Sequence, residues 1–216
     1  RSNGASLVGS IAFMFCGFIT VWMAYGTLGW AVLWLPLIFA AVLMHVDKRS
    51  WWNPAIVSLS LAWSFFSGHF QMSIYVLVAT VAFIVYQAVR TKRTRASLEL
   101  VLAVVLGLML SAVQILPSLE AYSQSVRSEL YTQAGGIAWQ YIVTLFAPDF
   151  YGNPVTRNDW YGSYAEWASY IGVVPLLLAV YAMVRPPAGR AGRTKNIGFF
   201  LGLALVSFFI ATPSPL

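Results

Sequence analysis

The sequence predicts an all-α fold, a polytopic transmembrane helical bundle of about seven spans with one long extracytoplasmic loop containing short interfacial helices. Composition is the first reason: 59% of the 216 residues are hydrophobic and only 9% are charged, whereas soluble domains carry about 25% charged residues. The second is that the apolar residues gather into runs long enough to cross a hydrocarbon core of roughly 30 Å. The third is that charges fall mainly between the runs, with the basic ones on one side. The net charge of +6 therefore belongs to membrane-flanking turns and not to a nucleic-acid surface. The single cysteine, Cys16, lies in an apolar run, which excludes an intrachain disulfide framework and a Cys/His zinc fold.

Apolar runs occupy residues 5–25, 28–46, 53–89, 98–116, 168–184 and 197–212, all in one transmembrane domain covering 1–216. The third is too long for one span. Its 37 residues would make a helix of about 55 Å, so it must fold back. The break belongs at Ser67-Gly68-His69-Phe70-Gln71, where glycine and polar side chains interrupt the apolar stretch and leave spans at 53–67 and 72–89. Charge supports this hairpin independently. With it in place, 11 of the 13 basic residues share a side with Asp47 and Glu99, for a net of +9, while Arg127 and Arg157 face five acids, for a net of −3. The positive-inside rule makes the basic side cytoplasmic and the loop 117–167 extracytoplasmic. His45, beside the Asp47-Lys48-Arg49 turn, is expected at the interface.

The loop from 119 to 167 is the one long connection, and 49 residues far exceed what joining two spans requires. Eleven aromatic residues there alternate with the outer acids and arginines. Flat rings beside hydrogen-bonding groups suit sugars, and tyrosine and tryptophan also gather at membrane interfaces for purely physical reasons. Residues 137–147 read as an amphipathic helix lying in the interface, its aromatics serving as anchors. Glu120 follows Gln114 and Pro117 at the outer end of the fifth span, where the proline can kink the helix. A carboxylate there suits a general base or a simple hydrated end to the span. Arg127 has a guanidinium fork that matches phosphate, and its bland alternative is an ion pair with Glu120 or Glu129.

Asp149 lies in the turn-rich stretch Ala147-Pro148-Asp149-Phe150-Tyr151-Gly152-Asn153-Pro154, which cannot be a regular helix. Asp149, Asp159 and Glu166 are oxygen ligands in type, but their spacing fits no calcium loop, and no metal site is expected within this segment. His69 and Gln71 occupy the hairpin turn, where polar groups either face a wet cavity or bond between helices. No phosphate-binding loop, His-Glu-x-x-His pair, serine elbow or solenoid repeat is present, so ATP-driven transport and serine hydrolysis have no support. The opening Arg1-Ser2-Asn3-Gly4 and the closing Ser214-Pro215-Leu216 read as the ends of a segment cut from a longer membrane protein.

Four motifs in order, Ser67-Gly68-His69-Phe70-Gln71 with Tyr75, Ala112-Val113-Gln114-Ile115-Leu116-Pro117 with Glu120 and Arg127, Pro148-Asp149-Phe150-Tyr151-Gly152-Asn153-Pro154, and Glu166 before Tyr170-Ile171-Gly172, resemble the YfhO-like family of bacterial membrane proteins. The resemblance covers nearly the whole chain; the family often has proline where this chain has Phe70. It implies a GT-C type glycosyltransferase in the bacterial inner (plasma) membrane, moving a sugar from a polyprenyl-phosphate carrier to a cell-envelope polymer or glycolipid acceptor. No cofactor is implied, and a divalent cation is left open. In such a site Arg127 would hold the carrier phosphate, His69, Gln71, Gln114 and Glu120 would line the sugar, and Asp149, Asn153 and Glu166 would shape the acceptor side. GT-C enzymes place an essential acid in the first outer loop, which is expected before Arg1; within this segment the best candidate for a catalytic carboxylate is Glu120. A transporter or flippase for envelope lipids and a non-catalytic membrane scaffold are the alternatives.

Overall fold

The computed structural model describes residues 3–125, 136–155, 157–158, 164–184 and 191–212. Arg127, Glu129 and Asp159 lie outside them. The chain is all-α apart from a two-residue antiparallel ladder, and its contacts form two compact units, Gly26–Ala134 and Arg1–Tyr25 with Gly135–Leu216. In chain order the helices are α1 Asn3–Met14, α2 Gly17–Ala24, α3 Leu28–Val32, α4 Leu35–Asp47, α5 Trp52–Phe66, α6 Phe70–Thr91 and α7 Thr94–Ser123, then α8 Tyr164–Trp167, α9 Val173–Val184 and α10 Ala191–Ala211. Among the described residues three stretches are long and apolar enough to cross a membrane: Leu28–Asp47, Phe70–Thr91 and Thr94–Ser123. The pair α1 and α2 makes a fourth if taken as one broken span.

The first unit holds most of the core. On α4 the buried residues are Ile38, Ala41, Val42, His45 and Val46, a stripe at spacings of three and four that lies on one helical face. α6 buries Ser73, Val76, Ala79, Thr80, Phe83, Ile84 and Gln87 in the same rhythm. Small residues let α5 and α7 approach closely: a Cβ on Gly107 would meet the Ser58 carbonyl oxygen at 2.9 Å, and Ser58 Oγ donates to the Ala103 carbonyl at 2.8 Å. The predicted hairpin is present. Gly68 takes φ +82 between α5 and α6, and the backbone N–H of Met72 donates to the His69 imidazole, which caps α6. At the opposite end the α4–α5 and α6–α7 connections meet, so Lys48, Arg49, Lys92, Arg93 and Arg95 cluster as charge patterning predicts. Arg93 donates to the last carbonyls of α4, at Val46 and Asp47.

Several boundaries differ from the sequence reading, each for a local reason. Residues 5–25 form two helices bent by 45°, not one straight span. Cys16 is extended and the Gly17 N–H donates to the Tyr170 carbonyl at 2.6 Å, so the helix gives up its own bonding there for a tertiary one. The same contact shortens the sixth span: α9 starts at Val173, after Tyr170 has paired with Gly17 and Gly172 has turned at φ +92. The fifth span extends beyond its apolar run, because α7 continues through Pro117 to Ser123 and thereby takes up the start of the predicted loop. Within the stretch 137–147 read as a helix, residues 139–145 form a 3₁₀ helix. Its Tyr141 is 2% exposed and so packs inward instead of anchoring in lipid. His45, expected at the interface, is 1% exposed.

Candidate functional site

The sequence-derived candidates divide between the two units. In the first unit they gather at the end of the bundle opposite the basic turns. Gln71 lies 21 residues before Lys92 and Gln114 lies 21 residues after Arg93, so equal rises along two antiparallel helices bring both to one level. His69 and Leu116 are level by the same count. Gln71 is exposed and its Nε2 donates to the Tyr75 hydroxyl at 2.8 Å. Gln114, also exposed, donates weakly to Ser118 Oγ at 3.5 Å. The two amides thus turn to neighbours on their own helices and keep their remaining valences toward solvent. Glu120 sits two turns further along α7 with its side chain exposed. Its backbone carbonyl accepts from Ser123 Oγ and from the Gln124 N–H, which closes the end of α7. Trp34, Trp63 and Phe66 surround this end, the two indoles stacked with centroids 6.2 Å apart.

In the second unit the loop has a small core of its own. Tyr141 packs on Trp167, centroids 4.0 Å apart, and edge-on against Tyr151 at 5.0 Å. The Tyr151 hydroxyl donates to the Gln140 carbonyl. These rings hold the loop together and are not open for stacking, whereas Phe146 and Phe150 are more than half exposed. Asp149 is exposed in the turn after the 3₁₀ helix and accepts a hydrogen bond from the Tyr164 hydroxyl. Burial, then the neighbouring Asp149 charge and that bond, push the Tyr164 phenol above its ordinary range. Asn153 is half-buried in the ladder, paired with Arg157, and its Oδ1 accepts from the Val155 N–H at 3.0 Å. Glu166 is exposed on α8. It follows Tyr164 by two positions and so points away from the Asp149 pair.

A cavity of about 170 Å³ opens beside that pair, lined by Tyr164, Thr20, Thr144 and Ser169 among others. Thr144 Oγ1 and Ser169 Oγ lie 3.1 Å apart in it. Sequence reading singled out Asp149 but not Tyr164, Thr144 or Ser169, since hydroxyls scattered over 25 residues carry no spacing signal. Among the described residues no three His, Cys, Asp or Glu side chains converge as a metal site. Hydroxyls, amides and carboxylates at the edge of apolar helices can bind a polyhydroxylated ligand without one.

No curated protein and no solved structure matches the chain. A family model described as bacterial membrane protein YfhO matches residues 1–214, a range that includes both groups of candidates and every apolar helix. The helical architecture, the membrane-spanning helices and this match lead to one conclusion: the chain belongs to the YfhO family of bacterial membrane proteins.

Proposed function

We propose that this protein transfers a sugar from a polyprenyl-phosphate carrier to a cell-envelope acceptor at the outer leaflet of the bacterial plasma membrane. The observation that carries the reading is the common level of Gln71 and Gln114, with His69 and Glu120 nearby along the same two helices, at the end of the bundle remote from the basic turns. Seven spans, completed by α1 with α2, α5, α9 and α10, put that end outside. A lipid-linked sugar then meets amides, imidazole and carboxylate where its own head lies. Arg127 holds the phosphate, which leaves as the sugar is displaced, so no cytosolic nucleotide is required. Within the second unit, Asp149 and Asn153 are the proposed acceptor contacts, and Glu166, which points away from Asp149, is not grouped with them. The catalytic power comes from positioning and from fixed charge against the leaving phosphate.

A flippase gains some support from Ser73, Thr80 and Gln87, buried at seven-residue intervals along α6. Ser73 and Thr80, however, spend their hydroxyls on nearby backbone carbonyls, which serves helix packing more than a path. The test is turnover of labelled polyprenyl-phosphate sugar in liposomes by the complete parent protein. Arg127→Ala should lower the rate by about a hundredfold or more and raise the half-saturating donor concentration far more than that of acceptor. Unchanged donor affinity overturns the role of Arg127. Movement of intact lipid-linked sugar across the bilayer without transfer selects the flippase.

A further inference from the structure

The basic end of the first unit carries a cavity that the transfer reading does not use. It is a groove of about 660 Å³ between α5 and α7. One wall is Trp51, Pro54, Ala55 and Ser58, the other Glu99, Leu102, Ala103 and Leu106. Each wall repeats the spacing i, i+3, i+4, i+7, so two single helix faces look at one another along the groove. The small residues of α5 keep it open. It closes one turn deeper, where Gly107 meets Ser58 and Leu61. From Glu99 to Gly107 the groove descends about 12 Å into the bundle. Leu102 and Leu106 stay 58% and 49% exposed on its wall, although they lie in a span.

The mouth is polar and charged. Glu99 is shared between His45 Nε2 at 2.9 Å, Arg49, and Arg95 Nε at 3.7 Å. His45 is fixed from its other side by Ser50, whose carbonyl lies 3.1 Å from Nδ1. One carboxylate cannot neutralise the two guanidiniums around it. Through Arg49 the groove continues into a second cavity of about 450 Å³, lined by Arg49, Lys92, Arg93 and Arg95 with no acidic residue. Residues 47–49 and 92–99 together hold five basic and two acidic side chains. The Lys92 ammonium has no partner among the described residues, and the Arg95 side chain is 80% exposed.

We infer that this groove binds one anionic phospholipid, with its phosphate among Arg49, Lys92 and Arg95 and the start of an acyl chain between α5 and α7. Charge complementarity selects the head: cations gathered in a cup, with surplus positive charge after Glu99 is counted. Apolar walls running from that cup into membrane depth select a chain attached to it. A free phosphate would leave the walls empty, and a zwitterionic lipid would bring a second cation into a cationic cup. The site lies at the other end of the bundle from the proposed transfer chemistry and stands or falls separately from it.

The test is lipid retention. The full chain is placed in nanodiscs of equimolar phosphatidylglycerol and phosphatidylcholine, released, and its bound lipids identified by native mass spectrometry. Wild type should keep one phosphatidylglycerol in preference to phosphatidylcholine. Lys92→Ala with Arg95→Ala, both at exposed positions, should weaken that preference about thirtyfold, two surface charges' worth. Leu102→Trp should fill the groove and abolish retention with every charge intact, whereas Val78→Trp, on the exposed face of α6, should change nothing. Excess soluble glycerol phosphate should fail to displace the lipid. Equal retention of both lipids, retention surviving Leu102→Trp, or displacement by glycerol phosphate overturns the proposal. So does a change of oligomeric state in Leu102→Trp with lipid retention intact, which would assign the groove to a second copy of the chain.

Discussion

Tyr164 is the residue whose local setting departs most from what its position in the sequence suggests. It opens the short helix α8, yet it is partly buried and donates to Asp149, and both effects favour the protonated phenol. A pKa raised in the folded state contributes stability that is complete below about pH 10 and lost as pH rises through the higher folded value. The unfolding midpoint of wild type should therefore fall more steeply above pH 10 than that of Tyr164→Phe, measured by thermal unfolding in detergent. Asp149→Asn should return the tyrosinate titration only part way toward normal, because burial, the largest single cause, remains. A full return would make the carboxylate the main one. His45 shows the opposite relation between sequence and setting. It continues the stripe Ile38, Ala41, Val42 on α4, so its burial was legible from periodicity alone. Its neighbouring charges set it beside the basic turn, and there Glu99 and Ser50 meet its two ring nitrogens, so the side chain is buried at that end of the bundle.

At the scale of elements, the close pairing of α5 with α7 organises the first unit. It rests on Gly107, where an added methyl would stand 2.9 Å from the Ser58 carbonyl oxygen, which is backbone and cannot rotate aside. Gly107→Ala should destabilise the protein by about 1–3 kcal/mol, read from the detergent unfolding midpoint. Gly198→Ala on α10, with nothing near its Cβ, is the control and should be neutral or slightly stabilising. Equal effects at the two glycines would mean that α5 and α7 stand further apart. The same scale explains the misread boundaries. A sequence run ends where hydrophobicity ends, but a helix ends where its backbone finds other partners. Gly17 with Tyr170 cuts two runs short, while among the described residues no tertiary backbone bond competes near Pro117 and α7 goes on to Ser123.

For the whole molecule, topology is the property that most needs measurement, since the proposed chemistry requires the Gly68 turn and the Arg95 turn to face opposite compartments. In a Cys16→Ser background, Ser67→Cys should react with an impermeant maleimide on intact cells, and Arg95→Cys only after permeabilisation. Both positions reacting from outside would place the basic turns in the same compartment as the candidate site and remove the basis of the transfer reading. The charge asymmetry of +9 against −3 makes the outcome specific.

The class of fold, the solvent it folds in, the hairpin at Gly68 and the gathering of basic residues at one end of the first unit are all written in the order of the amino acids. These follow from composition, run length and turn chemistry, which act locally and therefore leave a local trace. That order also marked Gln71 and Gln114, though not that helix rise brings them level. Long-range packing, by contrast, sorted the aromatics into core and exposed. It likewise joined Asp149 to Tyr164, bent the first span at Cys16, and turned a basic cluster and two helix faces into a groove. Each of these joins residues far apart in the chain, and an isolated sequence holds no record of which distant backbone or side chain will satisfy a given polar group.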